Sequence, residues 1–146
     1  MTQGDMVVQR ALEWVGTPYR HQASCRGAGT DCLGLLRGVW RELYLHEPRD
    51  IPAYTADWNE ASGCEALLEA AAALLRPVPL GAEKPGDVLV FRMRKGGVAK
   101  HLGILCRTGD EASFIHAYTG HGVVVSPLSM PWRQKIAAIF RFPEGA

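Results

Sequence analysis

The stretch that decides the fold is Thr30-Asp31-Cys32-Leu33-Gly34-Leu35-Leu36, early in a chain of 146 residues. Its threonine or its aspartate can cap a helix, because a short polar side chain accepts hydrogen bonds from free backbone N–H groups. Apolar residues then recur at helical spacing through 35–44, which predicts a helix with one buried face that ends before Pro48. Cys32 therefore falls in the first turn of that helix.

A cysteine at the start of a helix is a candidate nucleophile. Unpaired N–H groups and the helix dipole favour negative charge there, and hence the thiolate. His101 and His116 lie far downstream on strand-like sequence, where they could act as a base and as the residue that orients it. A strand histidine is also common as a hydrogen-bonded structural residue. The combination predicts a hydrolase that uses a cysteine nucleophile.

The composition favours one globular domain over residues 1–146. A hydrophobic content of 47% in a chain of this length is enough for a single core. The formal net charge is only +1 and the basic residues are dispersed, so we expect no nucleic-acid partner. No apolar run approaches the roughly 18 residues that span a bilayer, so we expect no integral membrane association. The N-terminus lacks a signal-peptide pattern, so we expect synthesis in the cytoplasm.

The four cysteines lack the close-pair spacing of a zinc ribbon. A buried free cysteine is common as a small hydrophobe, and composition favours that role for Cys25, Cys64 and Cys106. Irregular spacing also argues against a metal site, so we expect neither a metal nor a cofactor. The metal alternative is a zinc site drawn from Cys25, Cys32, His101 or His121.

Helical patterns occupy the first half of the chain and strand patterns the second. A first helix follows Asp5 and ends at Gly16-Thr17-Pro18, and a third covers 65–75 before Pro77. The links between strands are hairpin-sized except for the last, through 126–133, and they predict an α+β fold with helices gathered on one side of a roughly five-stranded antiparallel meander. The five predicted strands are 88–91, 102–106, 113–117, 123–125 and 136–140.

Hairpin geometry can bring the two histidines together. If the turn is centred between Thr108 and Gly109, His101 lies directly opposite His116 on one face of the sheet. A turn shifted by one residue keeps them diagonal neighbours, whereas a bulge would send them to opposite faces. His121, on a loop between glycines, is the alternative to His116.

Five short segments in a fixed order resemble the motifs of NlpC/P60 cysteine peptidases. The resemblance covers most of the chain, and the version without a signal-peptide pattern resembles phage-tail cell-wall peptidases. The segments are Gly16-Thr17-Pro18-Tyr19, Thr30-Asp31-Cys32-Leu33-Gly34-Leu35, Lys84-Pro85-Gly86-Asp87-Val88-Leu89-Val90-Phe91, His101-Leu102-Gly103-Ile104 and Phe114-Ile115-His116-Ala117.

The resemblance implies a papain-like α+β fold and hydrolysis of peptidoglycan stem peptides, typically at the bond between γ-D-glutamyl and a diamino acid. It implies that Cys32 is the nucleophile, His101 the general base and His116 the residue that orients the base. The chemistry would be thiolate attack, an acyl-enzyme and release by water. A phage or phage-like particle would carry the protein to the cell wall, with phage-tail proteins as partners.

Three residues are implied to bind substrate. Tyr19 matches a tyrosine that lines the active site, and Asp31 matches the acidic residue before the nucleophile. Leu33 stands where many members have a serine that helps to recognise the amino end of the substrate, so the requirement for a free amino end stays open. The structural alternatives are packing of Tyr19 after Pro18 and a capping role alone for Asp31.

Two other functions fit the same residues. A structural tail-assembly or tail-tip protein could keep the peptidase scaffold without turnover. An amidase or acyltransferase could use the same side chains, because fold and catalytic residues do not name the acyl donor.

Overall fold

The computed structural model describes residues 1–49, 51, 53–55, 58 and 63–144. Within this part of the chain there are four helices, and the three predicted helices are among them. The helices are α1 (Gln3–Leu12), α2 (Cys32–Tyr44), α3 (Ala66–Leu74) and α4 (Met130–Gln134). The strands are β1 (Ser24–Cys25), β2 (Gly29–Thr30), β3 (Arg76–Val78), β4 (Val88–Phe91), β5 (His101–Arg107), β6 (Ser113–Tyr118), β7 (Gly122–Pro127) and β8 (Ile136–Arg141).

Side-chain caps set where the first two helices begin. α1 starts earlier than its apolar pattern, because Thr2 and Asp5 form a capping box in which each side chain accepts from the other's backbone N–H. For α2 the cap is Asp31, whose Oδ1 accepts from the Gly34 backbone N–H at 2.7 Å. α2 then ends at Leu45, which adopts the left-handed conformation with φ of 64°. Cys32 is thus the first residue of α2.

The main sheet has six strands in the order β3-β8-β4-β5-β6-β7, so the prediction of five was one short. All its neighbouring strands are antiparallel. The added strand β3 contains Pro77, which sequence patterns indicate only as a helix terminator. Proline is tolerated there because β3 lies at the edge and pairs only with β8.

The simple meander was wrong at its last link. β4 to β7 follow one another as hairpin neighbours, but β8 returns to the other side of β4. The connection from β7 to β8 contains α4, and Trp132 of that helix packs on one face of the sheet as the chain crosses it. As a result, β4 is a central strand, and its four residues are all buried.

Both faces of the sheet are covered, which corrects the prediction that all helices lie on one side. α1 and α2 contribute to the larger core cluster with the inward residues of the strands, such as Leu102 and Ile115. The smaller cluster on the opposite face includes Phe91 and Phe114, and Trp132 of α4 packs against it. Among the described residues, none of the helices is both long and apolar enough to cross a bilayer.

Candidate active site

Cys32 is buried at the start of α2, with only 6% of its surface exposed. Burial, and to a smaller extent the neighbouring Asp31 carboxylate, raise the pKa of its thiol to about 12, although the backbone N–H groups of Leu102 and Leu33 act in the opposite direction. The predicted preference of a helix start for thiolate is therefore outweighed by desolvation. Cys32 is a neutral thiol at neutral pH.

His101 and His116 are joined by a hydrogen bond between Nε2 of the first and Nδ1 of the second, at 2.8 Å. Their rings meet edge to face with centroids 5.0 Å apart. Both side chains are buried, at 7% and 0% exposure. The structure thus brings His116, not His121, to His101; His121 is exposed and stacks on Tyr118 with ring centroids 5.4 Å apart.

The register of β5 and β6 explains how the histidines meet. Ile104 pairs with Ile115, so His101 and His116 are diagonal neighbours rather than direct partners. Direct pairing was wrong, the alternative of diagonal neighbours is confirmed, and a bulge lies between Leu105 and Arg107. The expectation that a bulge would send the histidines to opposite faces was also wrong. Next to the turn Arg107 pairs with Ser113, and this register alone would separate the two histidines. The extra residue of the bulge shifts the pairing by one position, so His101 and His116 lie on the same face.

Gly103 makes room for this pair. A Cβ atom at Gly103 would lie 3.1 Å from His116 Cβ and 2.8 Å from the Phe114 ring. A larger residue would therefore push against the strand that carries His116. The glycine allows the two imidazoles to approach across the sheet.

Burial keeps both imidazoles neutral. It lowers the pKa of His101 to about 3, and the neighbouring His116 acts in the same direction. It lowers the pKa of His116 to about 4, with His121 acting in the same direction. A hydrogen bond between two neutral imidazoles requires one ring to donate and the other to accept. The tautomer of one ring therefore fixes the tautomer of the other.

Ser126 and Trp132 also contact the histidines, and sequence patterns offered no basis for assigning either of them to the site. Ser126 of β7 places its Oγ 2.8 Å from His116 Nε2. Trp132 of α4 lies against both imidazoles, with ring centroids 5.8 Å from His101 and 5.3 Å from His116. Only the strand register and the crossing through α4 reveal them, because both are distant in sequence from Cys32.

Asp31 is a structural centre beside the nucleophile. Besides capping α2, its carboxylate accepts from the Gln22 backbone N–H at 2.7 Å and from Tyr54 Oη at 2.5 Å. Burial and this hydrogen bond raise the pKa of Tyr54. Tyr54 stacks on Trp58 with ring centroids 4.2 Å apart. The Asp31 carboxylate thus holds the segments that carry Gln22 and Tyr54 against the start of α2. Sequence reasoning predicted only capping or substrate binding for Asp31.

A cavity of about 440 Å³ opens over the nucleophile. Tyr19, Asp31, Cys32 and His101 all contribute to its walls. Leu33 is only 1% exposed and packs in the core, so the structure does not bring it to this cavity. The other described wall residues are His21, Tyr54, Thr55, Trp58, Met93, Lys100 and Thr119.

The arrangement suits acyl transfer. A thiol and an imidazole share one cavity, and a second imidazole is hydrogen-bonded to the first. Within the described ranges, no three His, Cys, Asp or Glu side chains form a group that could hold a metal ion, and this includes the residues of the zinc alternative.

Comparisons with known proteins agree with this geometry. The model of the NlpC/P60 family matches residues 16–141. The chain is 26% identical over 129 residues to the murein DD-endopeptidase MepS/murein LD-carboxypeptidase of Escherichia coli strain K12, covering 88% of this chain and 57% of that protein. It is 32% identical over 139 residues to the gamma-DL-glutamyl hydrolase of Bacillus subtilis strain 168, covering 93% of this chain and 29% of that protein.

The chain thus spans little more than half of the first relative and less than a third of the second. A solved structure, the NlpC/p60 domain of the peptidoglycan hydrolase SagA, matches with a TM-score of 0.64 at 23% identity, covering 97% of this chain and 99% of that one. This likeness shows the papain-like fold of the family. Since the family model runs from the loop before Tyr19 to the last strand of the sheet, the chain belongs to the NlpC/P60 family.

Proposed function

We propose that this protein is a cysteine endopeptidase that hydrolyses peptidoglycan stem peptides at the bond between γ-D-glutamyl and a diamino acid. The observation that carries the proposal is the shared cavity of Cys32 and His101, with His101 held by His116. The names of the relatives, murein endopeptidases and a gamma-DL-glutamyl hydrolase, support this substrate class.

The hydrogen bonds assign a role to each nitrogen of the base. His101 Nε2 is engaged by His116, so Nδ1 is the nitrogen available to take the proton of the Cys32 thiol. The sulfur attacks the scissile carbonyl carbon, and the His101 imidazolium then gives this proton to the leaving amine. Water attacks the acyl-enzyme with His101 as base, which releases the acid and regenerates the thiol.

Backbone N–H groups at the start of α2 stabilise the oxyanion of each tetrahedral intermediate. The Gly34 N–H is taken by Asp31, so the donors are the N–H groups of Cys32 and Leu33, which lie close enough to the Cys32 sulfur to lower its pKa. Such donors in a site that excludes water stabilise developing negative charge strongly.

Proton transfer accompanies attack rather than preceding it. Burial opposes the thiolate of Cys32 alone and the imidazolium of His101 alone. Transfer between them places opposite charges side by side, which offsets part of that cost. The ion pair is therefore a transient state that forms when the substrate carbonyl is in place.

The cavity also offers groups that would bind the stem peptide. Lys100 supplies a positive charge at its wall, which suits a substrate carboxylate. Tyr19 presents a phenol beside the nucleophile. Asp31 contributes indirectly, because its oxygens already accept from Gly34, Gln22 and Tyr54.

We also propose carriage to the wall by a phage or phage-like particle, with phage-tail proteins as partners. The support is the resemblance of the sequence motifs to phage-tail cell-wall peptidases. A particle that carries Cys32→Ala should assemble but fail to penetrate the wall if the protein acts as an enzyme. Normal penetration by this particle would support a purely structural role.

The test of the activity is digestion of purified peptidoglycan stem peptides, with products identified by mass spectrometry. Wild-type protein should cleave one bond, and Cys32→Ala should lose the cleavage by about 1,000-fold or more because the nucleophile is absent. Cys25→Ala, which changes an exposed cysteine, should retain it. Equal cleavage by Cys32→Ala would contradict the mechanism, and failure of the wild type on several wall chemistries would contradict the substrate class.

A further inference from the structure

Ser126 lies at the end of the chain of hydrogen bonds that begins at His101. In the pairing of β6 with β7, Phe114 is opposite Ser126 and His116 is opposite Val124. Ser126 is therefore a diagonal neighbour of His116 on the same face of the sheet. Its Oγ lies 2.8 Å from His116 Nε2. The only other ring nitrogen of His116 is taken by His101.

Two proton arrangements are compatible with these distances. In the first, His101 Nε2–H donates to His116 Nδ1, and His116 Nε2–H donates to Ser126 Oγ. In the second, every direction is reversed: the hydroxyl of Ser126 donates to His116, and His116 donates to His101. A neutral His101 in the second arrangement carries its proton on Nδ1. It then has no lone pair to offer to Cys32.

Catalysis selects the first arrangement. A base-competent His101 has its proton on Nε2, and the imidazolium that forms after proton transfer has protons on both nitrogens. In both states His116 Nδ1 has to accept, so the proton of neutral His116 resides on Nε2. The group that receives this proton in a hydrogen bond is Ser126 Oγ.

We propose that Ser126 is a positioning residue whose hydroxyl accepts the Nε2–H of His116 and thereby holds both histidines in the base-competent tautomer. The proposal rests on the proposed function, because it assigns Ser126 to the same reaction. Removing the hydroxyl leaves the Nε2–H of a fully buried histidine without its partner. In the second arrangement His116 Nε2 carries a lone pair instead of a proton, and an unpartnered lone pair costs less than an unpartnered N–H. Loss of the Ser126 hydroxyl therefore favours the inactive tautomer.

The position of Ser126 in the sheet allows its role as a hydrogen-bond partner to be tested apart from any contribution to packing. Ser126 is partly exposed, and a change to alanine removes only its hydroxyl oxygen, so little buried surface is lost. Ser113 is a matched control. It lies one register position away on β6, opposite Pro127, where its side chain projects from the other face.

The kinetic test compares Ser126→Ala, Ser126→Thr and Ser113→Ala on the stem peptide that the wild type cleaves. We expect Ser126→Ala to lower kcat about tenfold with KM unchanged, since one hydrogen bond of about 1.4 kcal/mol is lost in the transition state. Ser126→Thr keeps the hydroxyl and should retain the rate, as should Ser113→Ala. An unchanged kcat in Ser126→Ala, or a Thr variant as slow as the Ala variant, would overturn the proposal.

A spectroscopic test needs no turnover. In protein labelled with ¹⁵N-histidine, two-bond ¹H–¹⁵N spectra distinguish the protonated nitrogen of each ring. We expect His116 to be protonated at Nε2 in the wild type and to shift toward Nδ1 in Ser126→Ala. An unchanged tautomer would overturn the proposal. A wild type that shows this shift but cleaves no stem peptide would refute the proposed function and leave the tautomer assignment standing.

Discussion

At Cys32 two physical effects oppose each other. The helix N-terminus stabilises a nearby negative charge by up to about 2 kcal/mol in partly buried positions. The rise of the thiol pKa from 9.0 to about 12 on burial and beside Asp31 corresponds to about 4 kcal/mol. The larger effect decides the state of the residue, so the free protein holds a thiol, and the proposed mechanism requires His101 to activate it.

This state predicts how Cys32 reacts with iodoacetamide. The alkylation rate of the free protein should rise about tenfold for each pH unit from about pH 6 to pH 9, because the thiolate fraction rises by that factor below the pKa. Mass spectrometry of the Cys32 peptide measures the rate, and the exposed Cys25 in the same digest is the internal reference. A plateau near neutral pH would instead reveal a resting thiolate–imidazolium pair.

At the scale of elements, the close approach of α1 and α2 depends on Gly38. A Cβ atom there would lie 2.0 Å from the ring of Trp14. Trp14 is buried just beyond α1, and its Nε1–H donates to Glu42 on α2 at 2.8 Å. The tryptophan thus occupies the space that a side chain at position 38 would need.

Gly38→Ala is therefore expected to destabilise the protein by about 2 kcal/mol, as overpacking of a tight core does. At an open helical site the same change would stabilise by up to about 1 kcal/mol. Urea unfolding at neutral pH measures the difference. In a Trp14→Leu background the same glycine change should cost less, because the smaller side chain relieves the contact and makes the two changes non-additive. A more stable Gly38→Ala protein would show that the helices separate without cost.

At the scale of the whole molecule, the two buried histidines couple stability to pH. Their pKa values fall from 6.5 to about 3 for His101 and about 4 for His116 on folding. Below pH 6.5 the unfolded chain therefore takes up protons that the folded protein does not. Folding stability is present above this pH and is lost as the pH falls, by about 2 kcal/mol for each histidine at pH 5.

Urea unfolding at pH 7.5 and pH 5 tests this coupling. We expect the free energy of unfolding to fall by up to about 4 kcal/mol in the wild type. A His101→Gln/His116→Gln variant should lose most of that pH dependence. His46→Gln, which changes an exposed histidine, should keep it. Equal pH dependence in the double variant and the wild type would contradict the assignment.

Local patterns in the sequence determined the elements of this protein. The cap and apolar spacing place Cys32 at the start of α2, and short apolar runs predict five of the six strands of the main sheet. These features depend on residues a few positions apart, so a single chain reveals them. The same-face placement of His101 and His116 was also predicted, although the turn and the bulge that produce it were not.

Only the tertiary structure decided the protonation states and the partners of the site. The neutral thiol of Cys32 and the neutral histidines follow from desolvation, which depends on everything packed around them. Ser126 reaches His116, and Tyr54 reaches Asp31, across separations set by strand register and by the path of the chain. A sequence pattern carries residue types and local spacing, whereas electrostatics at a buried site depends on distances that exist only after folding.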